Sequence, residues 1–479
     1  MKKVLFPVLF TFLVFGRLCG QDKISPQLWE SITHHQGLFN GQSVAYTAIA
    51  EETFLYGRNE KVPDASVITF SYIKDKTSRN EVRPVIFIFN GGPGASSSPL
   101  HLHAFGPYIF PSDGSRSLVD NTNSLLDIAD LVFIDPVGTG YTRIFNEKEA
   151  PAYWDVKGDA RSILFVIKAW RQKYARESSP LFICGESYGT FRLAEMIGIN
   201  EDLPVSGIIM LSAILDMSSS TAVTGNDIPY VVTLPSISAI AYYHGKASVK
   251  AKSAAEIFEK ASLFAESRYF NALIKGDRLS ERERTDIARK LSRYTGLPVD
   301  TILARDLRIK PEDFQLLLIA DQDKRIGLLD GRKKGPLHTD LKPPYSDPSM
   351  GMRRDTVSAT LMRRYFNSTL SFPDTNRYRS LNLDVNSKWN WSSALNDFYY
   401  TVVPEFSKAV IKDRGLKIFV AGGIFDMATP FYSARYQFEH AGIPSGRVVF
   451  ESFPTGHSIF EDDNELKILA DKLRQFILK

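Results

Sequence analysis

Short apolar runs that alternate with helical stretches are the feature that most constrains the fold of this 479-residue chain. The runs are PVIFIFN, DLVFIDP, PLFIC, VSGIIMLSA, LKIFVAGG and RVVFESF. Strands that are apolar on both sides are typical of a parallel sheet with helices on both faces. The sequence therefore predicts an α/β protein with a mostly parallel central sheet.

The strand rhythm changes in two parts of the chain. Residues 43–57 and 66–74 precede it as two β-like runs, which predict an antiparallel hairpin. Residues 216–396 interrupt it, because they are richer in charge and in helical patterning. Since sheet strands resume directly afterwards, this interval is predicted to be a mainly helical cap inserted over the sheet. A separate domain with its own task is the alternative.

Local signals inside the interval support helices there. Ser280 with Glu283 three residues later forms a capping-box pattern, and Pro311 marks another helix start. Residues 330–351 are polar and rich in Pro and Gly, which predicts a loop. The predicted organisation is a signal peptide (1–20), a first core part (21–215), the helical cap (216–396) and a second core part (397–479).

The N-terminus has the form of a signal peptide. Two lysines precede an apolar run from Val4 to Phe15, which is too short to span a membrane. Small residues at Cys19 and Gly20 allow cleavage near Gln21. A buried N-terminal helix and lipidation of Cys19 are the alternatives. The signal form predicts an exported protein with no stable membrane span.

Cysteine usage and charge refine this picture. The two cysteines are Cys19 and Cys184, so no intramolecular disulfide can form once the first is cleaved off. An exported chain of this size without disulfides fits a bacterial periplasmic or extracellular location better than a eukaryotic secretory route. The formal net charge is +4, and residues 1–20 carry three basic residues and no acid, so the remainder is near neutrality. No nucleic-acid partner is therefore predicted.

A serine lies between two glycines in the segment ICGESYGTF. A short buried strand, residues 181–184, precedes it, and a helical pattern follows it. Gly185 and Gly189 suit a sharp strand-to-helix turn, which would present the Ser187 hydroxyl at the carboxyl end of a strand, beside the N–H groups of a helix start. An ordinary strand-turn-helix is the alternative.

A serine nucleophile needs a base, usually a histidine that a carboxylate holds in one tautomer. In the chain order of α/β-hydrolases, the acid and then the base follow the serine. Asp426 comes shortly after one late apolar strand and His457 shortly after the last. Each alone could be a solvated turn aspartate or a helix-capping histidine. Their joint appearance predicts a Ser187–His457–Asp426 triad.

A glycine-rich segment, FNGGPGASSS, follows the strand that ends at Phe89. A tetrahedral intermediate needs fixed N–H donors where its oxyanion forms. Tyr188, directly after the serine, can supply one donor, and Gly91 and Gly92 permit the close backbone approach that a second donor requires. A tight turn without a catalytic role is the alternative.

These motifs together resemble the serine carboxypeptidases, a branch of the α/β-hydrolase fold. The resemblance is carried by NGGPGASS, GESYG, GGIFDMATP and TGHS, in an order and spacing that match over nearly the whole mature chain. The segment IDPVGTGYTR also resembles a family segment, and its Asp135 is interpreted as structural. The resemblance implies an α/β-hydrolase core, a helical insertion over the sheet and exopeptidase activity at peptide C-termini.

The resemblance also implies roles for individual residues. Ser187 would be the nucleophile, His457 the base and Asp426 its orienting acid. Gly92 and Tyr188 would donate the oxyanion-hole N–H groups. Substrate binding would involve Gly91, with Asn90 and Glu186 helping to hold the terminal carboxylate. A glutamate at that task must be protonated or share a proton, which favours acidic pH.

The sequence departs from the family pattern at Ala104. Many members carry a second glutamate fourteen residues after the motif asparagine, and counting from Asn90 reaches this alanine. His101 and His103 lie nearby and would point the same way in an extended segment, which makes a metal pair conceivable. No zinc site is predicted, because no cysteine and no nearby acid completes a ligand set. The family's disulfides are absent too.

The sequence therefore predicts an exported serine carboxypeptidase-like hydrolase. It would release C-terminal residues from peptide substrates through a Ser187 acyl-enzyme, without a metal or organic cofactor. An esterase or acyltransferase on the same fold is one alternative, since the fold supports many acyl chemistries. A catalytically inactive binding protein is an alternative of another class.

Overall fold

The computed structural model describes residues 26–57, 61–75, 82–110, 117–350, 356–373, 378–396 and 398–479. The predicted signal peptide, residues 1–20, lies outside these ranges. Among the helices of the described ranges, none combines the length and the apolar character that crossing a membrane requires.

A nine-stranded sheet forms the centre of the molecule. Its strands are β1 (Glu30–Phe39), β2 (Gln42–Leu55), β3 (Ala65–Lys74), β4 (Val85–Phe89), β5 (Asp130–Asp135), β6 (Leu181–Glu186), β7 (Gly207–Leu211), β8 (Lys417–Gly423) and β9 (Val448–Phe453). The spatial order is β1-β2-β3-β5-β4-β6-β7-β8-β9. The six strands from β5 to β9 in this order pair in parallel, and β1, β2 and β3 add an antiparallel end. The fold-class prediction of a mostly parallel sheet is confirmed.

The central strands are apolar because both of their faces are covered. On β4, Val85, Phe87 and Phe89 belong to one buried cluster, whereas Ile86 and Ile88 belong to the other. Alternate side chains of a strand point to opposite faces, so one continuous apolar run supplies both cores. The helices Val156–Lys173, Tyr188–Ile199 and Val403–Lys412 cover the first face, and the helix Asp463–Leu478 covers the second.

One strand was not predicted. The hairpin of β2 and β3 is confirmed, but β1 pairs along the whole start of β2 and forms the edge of the sheet. Its sequence, ESITHHQGLF, lacks an apolar run, and its Ile32 and Leu38 are exposed. An edge strand with one neighbour needs few apolar side chains, so its sequence carries little signal.

Fourteen helices are described, with short π and 3₁₀ turns between them. The helices are α1 (Ser98–Leu100), α2 (Val156–Lys173), α3 (Tyr188–Ile199), α4 (Ile228–Tyr243), α5 (Ala254–Phe264), α6 (Phe270–Lys275), α7 (Glu281–Thr295), α8 (Val299–Leu303), α9 (Pro311–Leu317), α10 (Thr356–Arg364), α11 (Leu383–Ser387), α12 (Val403–Lys412), α13 (Phe431–Glu439) and α14 (Asp463–Leu478). The π turns are His101–Phe105, Ala265–Tyr269 and Tyr365–Thr369. The 3₁₀ turns are Leu125–Asp127, Ala150–Tyr153, Met217–Ser219, Gly276–Arg278, Ala320–Gln322, Ser392–Ala394, Ser445–Arg447 and Ile459–Glu461.

The chain between β7 and α12 is mainly helical, and it contains α4 to α11. The predicted capping box of α7 is present, since the Ser280 hydroxyl accepts from the Glu283 N–H and the Glu283 carboxylate accepts from the Ser280 N–H at 2.9 Å. Helix α9 begins at Pro311 as predicted. A third apolar cluster joins these helices to Phe425 and Met427, which flank Asp426.

Three short antiparallel pairs lie outside the main sheet. They join Tyr108–Ile109 to Val119–Asp120, Lys324–Ile326 to Lys334–Pro336, and Leu395–Asn396 to Tyr399–Tyr400. The second pair places a strand inside the region predicted as a loop, residues 330–351. That prediction is therefore wrong for three of its residues.

Candidate active site

Ser187 occupies the turn between β6 and α3. Its backbone has φ 58° and ψ −131°, a positive-φ conformation that costs energy for any residue other than glycine. Its N–H donates to the Leu211 carbonyl on β7 at 3.0 Å, and its carbonyl accepts from the Thr190 N–H at 2.8 Å. The half-buried serine therefore sits at the carboxyl edge of the sheet in the strained turn that a nucleophile requires.

The glycines around this turn are required by space. A Cβ on Gly185 would lie 2.5 Å from the Gly189 carbonyl oxygen, and a Cβ on Gly91 would lie 2.5 Å from the Tyr188 nitrogen. Both distances are shorter than any carbon side chain allows. The first contact explains the Gly-x-Ser-x-Gly pattern, and the second places the glycine-rich segment directly against the serine turn.

Asp426 follows β8 in a buried loop, and its side chain is fully enclosed. One carboxylate oxygen, Oδ1, accepts from the N–H groups of Ala428 (2.8 Å) and Thr429 (3.1 Å). The other, Oδ2, accepts from the Thr429 hydroxyl at 2.6 Å and contacts His457 Nδ1 at 2.7 Å. Four donors fix this carboxylate in one orientation. An acid that orients an imidazole must itself be fixed in this way.

His457 follows β9, and its side chain is nearly buried. Because Asp426 Oδ2 lies at hydrogen-bond distance from Nδ1, an Nδ1–H donor leaves Nε2 as the ring atom that can accept a proton. The main chain of His457 is held as well. Its N–H donates to the Leu329 carbonyl at 2.7 Å, and its carbonyl accepts from the Ser212 hydroxyl.

The segment that follows β4 has the open backbone that an oxyanion hole needs. Gly92 is exposed and has φ +98°, and a Cβ there would lie 2.7 Å from the Ala95 nitrogen. Since Gly91 packs on the Tyr188 nitrogen, the N–H groups of Gly92 and Tyr188 belong to two segments in contact. This juxtaposition is the arrangement that two converging oxyanion donors require.

A buried ion pair contacts the start of the glycine-rich segment that follows β4. Arg192 Nε donates to Asp159 Oδ2 at 2.6 Å, and both side chains are almost fully enclosed. Arg192 Nη1 also donates to the Asn90 carbonyl at 2.7 Å, and the Tyr188 hydroxyl donates to Asp159 Oδ2 at 3.1 Å. Burial raises the pKa of Asp159, and the adjacent guanidinium opposes this shift.

The side chains of Asn90 and Glu186 are in direct contact. The Asn90 amide donates to Glu186 Oε2, and Asn90 Oδ1 accepts from the Leu100 N–H at 3.1 Å. The other glutamate oxygen, Oε1, accepts from the hydroxyl of Ser458 at 3.2 Å. Glu186 and Ser458 directly adjoin Ser187 and His457 in sequence. This contact therefore joins the serine turn to the histidine loop.

The segment around Ala104 is not extended. Residues His101–Phe105 form a π turn, in which Ala104 is fully buried in the second core cluster. His101 is fully buried and stacks on Phe133 at 4.2 Å, whereas His103 is half-buried and stacks on Phe110 at 4.9 Å. The two histidines therefore do not point the same way. Within the described ranges, no three His, Cys, Asp or Glu side chains gather where a metal ion could bind.

Two further groups near the site are enclosed. Cys184 is a buried free thiol on β6, and burial followed by the charge of Glu186 raises its pKa. Asp135 is buried at the end of β5 and accepts from the Ser97 N–H at 2.8 Å and the Ser97 hydroxyl at 2.7 Å. Its contacts fit the structural interpretation of Asp135.

The sequence interpretation missed several residues of this site. Thr429 and Ser458 lie inside quoted motifs, but hydroxyl residues are common in turns and carry no signal there. Arg192 offered a signal, because it is one charged residue within an otherwise apolar start of a helix. Leu328 and Leu329 offered none, since their contacts to the acid and histidine loops use only main-chain atoms.

Comparisons with known proteins agree with this geometry. The family model described as serine carboxypeptidase matches residues 61–193, which contain Asn90, Gly92 and Ser187. A serine carboxypeptidase-like protein (number 20) from Arabidopsis thaliana is 34% identical over 111 residues, which are 22% of each chain. Serine carboxypeptidase 1 from Hordeum vulgare is 32% identical over 127 residues, which are 25% of each chain. The matched segments thus span about a quarter of these relatives.

Structural similarity extends further than sequence similarity. The crystal structure of a prohormone-processing carboxypeptidase from Saccharomyces cerevisiae superposes with a TM-score of 0.53 at 14% identity. The superposition covers 89% of this chain and 91% of that one. At this identity the likeness shows a shared fold, which is that of the α/β-hydrolases. By the family match over residues 61–193 and the sequence relatives over about a quarter of their length, this part of the chain is similar to the serine carboxypeptidases.

Proposed function

We propose that this protein is a serine carboxypeptidase that releases C-terminal residues from peptides through a Ser187 acyl-enzyme. The observation that carries the proposal is the pairing of two features at one edge of the sheet. One is the buried Asp426–His457 contact at 2.7 Å, and the other is the Asn90–Glu186 pair directly before the serine turn. The first supports acyl transfer, and the second supports recognition of a terminal carboxylate.

In the proposed mechanism, Ser187 Oγ attacks the scissile carbonyl while His457 Nε2 takes its proton. Asp426 stabilises the resulting imidazolium through Nδ1–H. The N–H groups of Gly92 and Tyr188 donate to the oxyanion of the tetrahedral intermediate. His457 then protonates the leaving amine, and water repeats the sequence at the acyl-enzyme, releasing the shortened peptide and restoring the serine.

The substrate's free carboxylate would bind beside Asn90 and Glu186. Asn90 can donate through its amide at any ordinary pH. Glu186 can donate to a carboxylate only when it is itself protonated. Both Glu186 oxygens accept hydrogen bonds, from Asn90 and Ser458. Because Glu186 must be protonated to donate to the substrate carboxylate, cleavage of free-acid peptides should be fastest on the acid side of neutrality.

The test compares one peptide as free acid and as C-terminal amide, with kcat/KM measured against pH. We expect the acid form to be cleaved faster below neutrality and the amide to show little of that pH dependence.

The second experiment tests the nucleophile. A fluorophosphonate should label the wild-type protein and not Ser187→Ala, whose turnover should fall by several orders of magnitude. If the wild type is labelled but cleaves the acid and amide peptides at equal rates at every pH, the protein is a general acyl hydrolase or acyltransferase and not a carboxypeptidase. No labelling would leave a binding protein.

Two parts of the proposal concern the whole chain. We propose that residues 216–396 form a cap of the active site, which is supported by the apolar cluster shared with Phe425 and Met427. Release of this interval by limited proteolysis as a separately folded fragment, with fluorophosphonate labelling retained, would contradict the proposed cap.

We also propose export of the protein, on the signal-peptide form of residues 1–20. N-terminal sequencing should find a mature chain that begins near Gln21, and a retained Met1 would contradict export by cleavage.

A further inference from the structure

A short segment of the interval between β7 and α12, residues 327–332, contacts both loops that carry the proposed acid and base. The Met427 N–H, directly after Asp426, donates to the Leu328 carbonyl at 3.0 Å. The His457 N–H donates to the next carbonyl, that of Leu329, at 2.7 Å. Two neighbouring carbonyls of one segment therefore hold the two loops side by side.

The same segment also binds the residue on the other side of the acid. The Gly331 N–H donates to the Phe425 carbonyl at 3.0 Å, so both sequence neighbours of Asp426 are hydrogen-bonded to residues 327–332. The Gly331 carbonyl in turn lies 2.7 Å from Nε2 of His244, directly after α4. The segment is thus fixed to the cap helices as well as to the acid loop.

An ion pair gives the segment its shape. Asp330 is 3% exposed, and its Oδ1 accepts from the N–H and the Nε of Arg332, each at 3.0 Å. Its Oδ2 accepts from Arg332 Nη2 at 2.9 Å. A buried carboxylate that binds a guanidinium through both oxygens is held in one geometry.

Arg332 touches both loops beyond this pair. Its Nη1 donates to the Pro454 carbonyl, in the loop that carries His457, at 3.1 Å. Its guanidinium lies over the Phe425 ring, in the loop that carries Asp426, with 5.2 Å to the ring centroid. Burial acts to lower the pKa of Arg332, but the hydrogen bond and the charge of Asp330 together raise it, so the guanidinium stays charged. One side chain therefore bridges the two loops.

The packing leaves these loops little freedom to slide. A Cβ on Gly456, directly before His457, would lie 2.4 Å from the Asp330 Cβ. A Cβ on Gly423, at the end of β8, would lie 2.0 Å from the Gly456 carbonyl oxygen. Since only glycine fits at both positions, the acid loop, the histidine loop and residue 330 are in direct backbone contact.

We infer that Asp330 and Arg332 are positioning residues of the active site, which keep the Asp426 carboxylate and the His457 imidazole in contact. The inference rests on the proposed function, because it assigns a catalytic use to that contact. Small displacements of a catalytic group reduce turnover strongly. Since Arg332 touches neither reacting group, its loss should lower kcat and leave substrate binding nearly unchanged.

The test compares Arg332→Ala, Arg332→Lys and Asp330→Asn with Arg305→Ala as a matched control. Arg305 forms a half-buried ion pair with Asp313 at 3.1 Å in the same interval. The activity of each variant is normalised to its folded fraction at the assay temperature. We expect kcat of Arg332→Ala to fall about 10- to 100-fold with KM changed less than about threefold. Arg332→Lys should recover part of the loss, and Arg305→Ala should match the wild type.

A second measurement covers the case in which Arg332→Ala folds poorly. Hydrogen exchange followed by mass spectrometry should show faster exchange in peptides spanning residues 425–429 and 454–460 of Arg332→Lys. The reason is that the Met427 N–H donates to the Leu328 carbonyl and the His457 N–H donates to the Leu329 carbonyl. Unchanged kcat per folded protein, or unchanged exchange in both peptides, would overturn the inference. A wild-type protein that fluorophosphonate does not label would instead contradict the proposed function.

Discussion

Thr429 places one hydroxyl between the two side chains proposed as acid and base. It donates to Asp426 Oδ2 at 2.6 Å and lies 3.0 Å from His457 Nδ1. The nearly isosteric Thr429→Val would remove this donor from a fully buried carboxylate. One such hydrogen bond contributes about 1–1.5 kcal/mol, so we expect kcat to fall roughly tenfold with KM unchanged.

Thr429→Ser is the matched control for this substitution. It keeps the hydroxyl and removes only a methyl group, and steady-state kinetics should return it close to wild-type kcat. Equal losses in the valine and serine variants would contradict a specific contribution of the hydroxyl, because serine keeps it. Unchanged kcat in Thr429→Val would also contradict a contribution of the hydroxyl.

At the scale of residues, the sequence located side chains whose position follows from chain order. Ser187 is marked by its glycines, and Asp426 and His457 by the strands before them. The structure brings all three to one edge of the sheet, and their catalytic roles stay predictions. Thr429 and Arg332 could not be found in this way, because their contacts with the histidine loop join residues distant in sequence, and such contacts leave no local pattern.

At the scale of elements, the π turn His101–Phe105 changes the expectation for Ala104. In an extended segment a glutamate at this position could have faced the substrate and sharpened the preference for a free acid. In the π turn Ala104 is fully buried among Leu100, Leu102 and other apolar residues. Its carbonyl accepts from Asn121 Nδ2 at 2.7 Å, which fixes the turn further.

We therefore expect Ala104→Glu to unfold the protein and not to improve carboxylate recognition. Burial of a carboxylate among apolar side chains costs several kcal/mol, which is a large part of the stability of a typical domain. Urea unfolding should show a loss of about 4 kcal/mol or more, or no soluble protein. Ala152→Glu, at an exposed alanine in a 3₁₀ turn, should be close to neutral. A stable Ala104→Glu variant would show that this turn rearranges readily.

Helices and strands were predictable where their local environment determines their composition. The central strands are apolar because both faces are covered, and α7 begins where its capping box is. β1 escaped prediction because an edge strand needs few apolar residues. Residues 330–351 were correctly found polar, but their composition gave no sign that residues 330 and 332 pack against the histidine loop. Gly and Pro report local backbone freedom and carry no information about distant partners.

At the scale of the whole molecule, three apolar clusters of the described residues stabilise the fold. Two lie on opposite faces of the sheet, and the third joins the helices between β7 and α12 to the loop of Asp426. The alternation along each strand made the first two predictable. The third depends on how an insertion folds back over the sheet, which is a matter of three-dimensional packing and cannot be obtained from periodicity.

Two buried titratable groups near the site give the folded state opposite responses to pH. Burial raises the pKa of Asp135 from 3.8 to about 6, with the Ser97 hydrogen bonds opposing the shift. The folded state then binds more protons between these values, so the free energy of unfolding decreases as pH rises through this window. Burial lowers the pKa of His101 from 6.5 to about 3. Here the unfolded state binds more protons, so the free energy of unfolding decreases as pH falls below 6.5.

His101 should therefore limit stability at the acidic pH that the proposed carboxypeptidase activity favours. Its Nε2 lies 2.6 Å from the Tyr72 hydroxyl, which also contacts the Tyr365 hydroxyl at 2.7 Å, so a polar replacement is needed. We expect His101→Gln to lose less stability than the wild type on acidification. From pH 7 to pH 4.5 the difference should change by about 3 kcal/mol, which is two pH units at 1.36 kcal/mol each. Urea unfolding at several pH values measures it, with the exposed His440→Gln as control. Stability curves of His101→Gln and wild type that run parallel across this range would show that His101 takes up its proton equally in both states, and that the acid response of the molecule arises elsewhere.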